Sequence, residues 1–497
     1  MANGADVQES YIGEEMGAAL ATLEYGVVPD ILTKRYASDA MTRVWSPEGS
    51  VLIERFVQLQ VMQLQSELGA GIPASHVDDY RAVIGDINLA DMDRQEAKTK
   101  HDTNARITVF NELTGHQDVA TALTSRDITD NADQVQKKLG LEIIKAKVAA
   151  AIGGFARAAS TNHELAITGR THNVAAQLTT FGKELASCGE ELIDGYKVLE
   201  FHIDNMKLRG IKGAVGTQQD ILNLFDGDEE KVDVLDMRLA QALGFRAIYN
   251  SVGQIYPRSQ DLASIQALSH VVGPMSNFAT IIRHAMGRNL LIESDRKRVG
   301  SNAMPHKINP RTSERVVGFY RILGGFEAMM RPMAGEQWGE GDVSCSVVRR
   351  VALPGSFNAA DGAFEAGLTV LDGFRLFESV VAEEVDRNLP FLATTKVLTD
   401  MIKSGIGRED AHDLIREHVY DLIKHMQDTG STENDLLERL GADEKVPLTL
   451  AEIKEAVAKP LQLTGRASTQ AQRFVAQAEK LVAANAGSAS YQPAEIL

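Results

Sequence analysis

The stretch LASIQALSHVVGPMSNFATIIRHAMGRNL, residues 262–290, decides the fold class. Its apolar residues fall at Leu262, Ile265, Leu268, Val272, Met275, Phe278, Ile282, Ala285 and Leu290. Steps of three and four dominate, which is the period of an α-helix. At 3.6 residues per turn the segment makes roughly eight turns. Pro274 lies inside it and predicts a kink, not an end. The same period returns at Phe364, Leu368, Leu371 and Phe374, and in a segment that starts near Leu141 and extends towards Leu165. Strand-like alternation is scarce. Helices this long bury their apolar stripes against one another, so the chain reads as all-α, built on a bundle of a kind often shared between subunits.

Three regions follow along the 497 residues: 1–123 with short helices and turns, 124–376 with the longest periodic segments, and 377–497 with shorter helices. Punctuation in the last region falls at SGIGRED and DTGSTEND, and its tail AANAGSASYQPAEIL has the composition of a loosely held end. An apolar share of 44% is enough for a large core, and a net charge of −17 disfavours non-specific nucleic-acid binding. A local basic pocket can still sit in an acidic protein. The two cysteines, Cys188 and Cys345, make no disulfide framework and fit a reducing, cytoplasmic setting. The N-terminal MANGADVQESYIGEEMG has no apolar run of the kind a signal peptide needs, and no span of about 18 apolar residues points to a membrane.

Polar islands interrupt the helical pattern. They are KHDTNAR with His101 and Asp102, TSRDITDN with Thr124 and Ser125, and GRTHN with Thr171 and His172. Further along come SVGQIYPR with Gln254 and Arg258, GSNAMPHKINP (residues 300–310) followed by Glu314, and EGDVSCSVVRR with Ser346, Arg349 and Arg350. Each has a plain structural explanation. TSRD is a good helix start with an acidic first turn. The histidines can be hydrogen-bonded scaffold groups, Asp102 a local partner of His101, and Arg349 with Arg350 a solvated helix face. GSNAMPHKINP resists such a reading, because it packs a hydroxyl, a lysine, two amides and two prolines into residues 301–310. No HExxH, zinc-spaced Cys/His set, Walker A sequence or GxSxG elbow is present. GIKGAVG (Gly210, Gly213, Gly216) is glycine-spaced but lacks the preceding strand that a dinucleotide site requires.

GSNAMPHKINP resembles the signature loop of the fumarase/aspartase superfamily, GSSxMPxKxNP, with Met304, Pro305, Lys307, Asn309 and Pro310 in register. KRYAS (Arg35, Tyr36), GRTH, the serine and two arginines of SxxxRR, LPFLATTK and TGRASTQ extend the likeness to the adenylosuccinate lyase family over about residues 30–475. TSRDITDN and QWGEGDVSCSVVRRVALP are most similar to its actinobacterial-type branch. The resemblance implies a three-domain, all-α fold, a homotetramer whose subunits share active sites, nucleotide substrates, and no cofactor or metal. It also implies β-elimination of fumarate. A base takes the proton beside a carboxylate of the succinyl group, and an acid protonates the departing nitrogen.

By position in these motifs, the resemblance implies Ser301 as the base and His172 as the acid, with Glu314 fixing the imidazole tautomer and His101 supporting the acid step or the substrate. Lys307 and the loop N–H groups would ease ionisation of the serine. Thr124, Ser125, Thr171, Gln254, Lys307 and Asn309 would bind at the succinyl end, and Asp102 would bind the substrate. Arg35, Tyr36, Arg258, Ser346 and Arg350 would hold the nucleotide, the cations pairing with its phosphate. Three positions depart from the family pattern: Asn302 replaces a serine, Gly341 an arginine that Arg349 could replace, and Ala120 a histidine. The rival readings are a superfamily lyase or cycloisomerase with another leaving group, which lacks need of the phosphate contacts, and a non-enzymatic relative, which would have lost Ser301, His172, Lys307 or Glu314.

Overall fold

Thr124 and Asp127 set the start of the longest helix. Asp127 Oδ2 accepts from the Thr124 backbone N–H (2.8 Å) and hydroxyl (3.0 Å), pinning the first turn. Helix α1 then runs from Ser125 to Thr161. The structure, a computed structural model, describes residues 14–26, 30–294, 304, 306–336, 340 and 342–494. Within it α2 (Phe181–Asn205), α3 (Ser259–Gly287), α4 (Arg311–Met330) and α5 (Val343–Gly373) join α1 in a bundle, and α6 (Ala467–Ala484) packs on α1 and α2. Helix α3 lies between α2, α4 and α5, and α1 between α2 and α5. The chain is mostly helical, as its apolar period implies.

The periodic run at 262–290 falls in α3, and Pro274 sits inside the helix without ending it. The other two runs mark only the apolar parts of longer helices. Helix α5 begins at Val343, far ahead of Phe364, and α1 begins at Ser125, far ahead of Leu141. The reason is burial of polar groups. Asp127, Asp130, Asn131, Gln134 and Lys137 are fully buried in the first turns of α1 beside Ile128, Ala132 and Val135, so the apolar period there is diluted by polar and charged residues.

A hairpin was not legible in the sequence. Strand β1 (Ala166–Thr171) pairs antiparallel with β2 (Val174–Thr180), joined by the two residues His172 and Asn173. Both have positive φ, 51° and 62°, as a tight hairpin turn of this length demands. The glycine motif GIKGAVG is in fact preceded by a strand, though only two residues long (Lys207–Leu208). Its glycines take left-handed angles, and the loop wraps a carboxylate of the protein itself: Asp127 Oδ1 accepts from Arg209 (2.5 Å) and from the N–H groups of Lys212 (2.9 Å) and Gly213 (3.0 Å).

One hydrophobic cluster draws on residues from Met16 to Ala478, and a second lies in the C-terminal helices between Ala393 and Val457. The tail at 491–494 is fastened rather than loose. The Tyr491 hydroxyl and the Ala494 N–H both donate to Glu365, a fully buried carboxylate of α5 that Lys147 also holds. The same lysine bonds Asp361 and the Ser38 hydroxyl (3.1 Å), and Asp361 accepts the Ser38 N–H (2.6 Å). No helix among the described residues is long and apolar enough to cross a membrane.

Close helix packing at Gly189 gives a stability prediction. A Cβ there would overlap the ring of Phe474, which is fully buried in α6. Gly189→Ala gains helix propensity of up to ~1 kcal/mol but overpacks this contact by ~1–3 kcal/mol. The expected result is a net loss of stability in urea unfolding, and an unchanged or raised midpoint would show that the ring can yield.

Candidate active site

The start of α1, the start of α5 and the helix Asp102–Thr114 meet around a cleft of about 790 Å³. His101, Asp102, Thr124, Ser125, Gln254, Ser346 and Arg350 line it, together with Glu54, Arg106, Arg126, Asp133 and Arg349. Helix starts bring unpaired N–H groups and positive dipole ends, so two of them facing one cleft favour an anion.

His101 caps the helix Asp102–Thr114: its Nδ1 accepts from the Asn104 N–H (3.3 Å). That bond leaves the proton of a neutral ring on Nε2, which lies 3.4 Å from the Ser125 hydroxyl. The scaffold role and the cleft-facing role of His101 therefore coexist. Asp102 pairs with Arg350 (2.5 Å) across the cleft. Burial alone would raise the Asp102 carboxyl, but the Thr103 N–H, Arg350 and Arg106 outweigh it and hold it below its ordinary value. Burial pushes the Glu54 carboxyl up even though Arg106 lies 2.5 Å away. Gln254 reaches the cleft, and its backbone N–H donates to Glu340.

Arg349 is neither a solvated group nor available to replace an arginine at position 341. It is buried, with Nε on Asp261 (2.7 Å) and Nη2 on Asp133 (2.7 Å) and the Tyr256 hydroxyl (2.6 Å). Arg350, one residue on, is the exposed member of the pair. Arg258 is fully buried and ion-paired with Asp130 (3.1 Å) beneath the cleft, not on its wall. Ser301, Asn302 and Gly341 lie outside the described residues.

The remaining expected residues stand elsewhere on the chain. Thr171 and His172 are exposed at the tip of the β1–β2 hairpin. Glu314 is exposed in the first turn of α4 and lines a second cleft of about 470 Å³ with Arg170, Asn173, Arg283, His284 and Arg288. Lys307 is exposed and Asn309 half-buried just ahead of α4. The base of that loop is clamped. Glu293 caps α4 from outside, accepting from Thr312 N–H (2.9 Å), Ser313 N–H (2.9 Å) and the Ser313 hydroxyl (2.8 Å). Arg35 is exposed, while the Tyr36 ring packs edge-on to Phe319 at 5.0 Å.

Comparison with known proteins gives this arrangement a family. Residues 69–324 match a lyase family model, and residues 390–474 match the family model described as adenylosuccinate lyase C-terminus. The adenylosuccinate lyase of Saccharomyces cerevisiae is 31% identical over 89% of this chain and 93% of its own. The chain belongs to the adenylosuccinate lyase family. The Schistosoma mansoni member is 30% identical with the same coverage of both chains. The fold is shared by solved structures with other names. A 3-carboxy-cis,cis-muconate lactonizing enzyme from Pseudomonas putida superposes with a TM-score of 0.78 at 18% identity, covering 91% of this chain and 99% of its own. A fumarate lyase from Mesorhizobium sp. BNC1 gives 0.76 at 18%, covering 91% and 100%.

Sequence reading missed Glu54, Arg106, Arg126 and Asp133 as cleft residues. Arg126 and Asp133 sit inside or just past the TSRDITDN island, in positions where a helix start accounts for charge. Glu54 and Arg106 lie in helical segments with no motif to single them out.

Proposed function

We propose that the protein eliminates fumarate from adenylosuccinate, leaving AMP, and from the succinylated aminoimidazole carboxamide ribotide, leaving the free carboxamide. The observation that carries this reading is the convergence on one cleft of His101, Asp102, Thr124, Ser125, Gln254, Ser346 and Arg350, residues spread from position 101 to position 350. Family membership supplies the substrate class.

The residue roles follow from chemistry. Loss of the proton beside a carboxylate builds a second negative charge on that carboxylate. Donors fixed in advance around it stabilise this state without reorganising. Thr124, Ser125 and Gln254 supply such donors from the cleft, with Thr171, Lys307 and Asn309 from the hairpin and the loop. Ser301 takes the proton and His172 protonates the departing nitrogen, with Glu314 orienting its ring. Ser346 and Arg350 hold the nucleotide phosphate, and Arg35 and Tyr36 its other end. Arg258 acts indirectly, holding Asp130 at the floor.

Among the described residues, His172, Glu314, Lys307 and Asn309 do not line the first cleft in a single chain. Assembly from several subunits resolves this, and we infer a homotetramer. Exposed apolar residues support it: Val343, Val347 and Val351 are 64%, 60% and 53% exposed at four-residue spacing along α5, and Tyr320, Ile322 and Met329 are exposed along α4. The division at residues 123 and 376 and a cytoplasmic location belong to the same reading. Incubation of purified protein with adenylosuccinate tests it: fumarate and AMP should appear in equal amounts, and their absence sinks the reaction. Light scattering should give four chains per particle.

A further inference from the structure

The floor of the cleft carries one positive charge too many. Four cations, Lys137, Arg258, Arg349 and Arg126, meet three carboxylates, Asp130, Asp133 and Asp261. Lys137 and Arg349 bond Asp261 (2.5 and 2.7 Å), and Arg349 also takes Asp133 (2.7 Å). Asp130 is shared by Arg258 at 3.1 Å and Arg126 at 3.5 Å. Lys137, Arg258 and Arg349 are buried by protein, whereas the Arg126 side chain is 18% exposed. The surplus therefore comes to the surface on Arg126. Its second contact is neutral, Nη2 donating to the Ser346 hydroxyl at 2.9 Å. The other arginines of the cleft have charged partners closer than 3 Å: Arg106 on Glu54, Arg350 on Asp102 and Arg349 on two carboxylates. Among the described cleft arginines, Arg126 is the one whose nearest polar partner carries no charge.

We propose that Arg126 binds the 5′-phosphate of the nucleotide together with Ser346, as a specificity-determining residue. The assignment rests on the reaction proposed above for the substrate, but its chemistry is local. A planar guanidinium that already touches the hydroxyl assigned to the phosphate can turn its second N–H outward. The surplus positive charge then offsets part of the charge of a dianionic phosphate. A substrate without the phosphate leaves that charge facing the cleft.

Arg126→Gln and Arg126→Lys test this by titration calorimetry with AMP and with adenosine, alongside steady-state kinetics on adenylosuccinate. The glutamine variant should bind AMP about tenfold to a hundredfold more weakly, the range for one charge-assisted hydrogen bond. Adenosine affinity should stay within about twofold, KM should rise with AMP Kd, and kcat should hold, as for uniform binding. Arg126→Lys should fall between the two. Equal losses for AMP and adenosine, unchanged AMP affinity, or a fall in kcat at constant KM would each overturn the assignment. If the glutamine variant fails to fold, the lysine variant carries the same comparison, since it keeps the charge and loses the fork geometry. Binding of AMP is read without turnover. A wild-type protein that released no fumarate would therefore fail the proposed reaction separately from the phosphate site.

Discussion

His172→Asn should lower kcat by ~10²–10⁴-fold, the usual worth of a positioned proton-transfer group, while the protein unfolds at its normal temperature. The choice of asparagine matters. His172 holds φ at +51° in the hairpin turn, and an alanine there would add backbone strain of ~1–2 kcal/mol. Asparagine tolerates that conformation, so it removes the imidazole and leaves the turn. The side chain is exposed in the chain and supports no core packing, so its conservation of fold is expected. His172→Ala should show the same kinetic loss with a small stability penalty added. Near-normal turnover by the asparagine variant would falsify the assignment of His172 as the acid.

Asp261→Asn should destabilise the protein by ~3–5 kcal/mol, the cost of removing one partner from a buried charge cluster. Asp261 has no exposed surface and accepts from Lys137 (2.5 Å), the Tyr256 hydroxyl (2.6 Å) and Arg349 (2.7 Å). An amide leaves Lys137 and Arg349 short of a counter-charge, so both the core and the cleft floor suffer. Burial would raise the Asp261 carboxyl, but Arg349, Lys137 and Arg258 more than reverse it and hold it well below the ordinary carboxylate range. A depressed folded value means that the contribution is complete above the unfolded value of ~3.9 and disappears as pH falls towards the folded one. Urea unfolding at pH 7 and at pH 3 checks both points. The gap between wild type and variant should be full at pH 7 and narrower at pH 3, and a gap that widens on acidification would contradict the charge assignment.

The sequence disclosed the bundle because α3 is a helix whose buried face is almost wholly apolar from Ile265 to Ala285. It hid the first turns of α1 because there Asp127, Asp130 and Lys137 are buried among Ile128, Ala132 and Val135, and a pattern search for apolar residues passes over a face so mixed. The β1–β2 hairpin escaped for a related reason: its strands alternate weakly, and its turn needs no glycine when histidine and asparagine accept positive φ. In the cleft, motif resemblance picked out residues that line it, among them His101, Ser125, Ser346 and Arg350. It could not sort Arg349 from Arg350 or recognise that Arg258 is sealed beneath the floor. Adjacent arginines on a helix point about 100° apart, and only packing decides which one reaches solvent. Arg126 was in plain view between Ser125 and Asp127, but its significance comes from a charge count over three helices.

The fastening of Tyr491 and Ala494 on Glu365 also bears on the order in which the chain leaves the ribosome. Lys147, Asp361 and Glu365 are all made before the tyrosine, which follows Glu365 by 126 residues. At the ~5–20 residues per second of synthesis, the interval lasts roughly 6–25 s. Through that interval two carboxylates share one lysine, and the Tyr491 and Ala494 donors of Glu365 do not yet exist. Burial of Glu365 against α1 should be incomplete until the tail arrives. Co-translational folding should therefore stall with this seam still wet, and a nascent chain cut short of residue 491 should remain sensitive to protease along it.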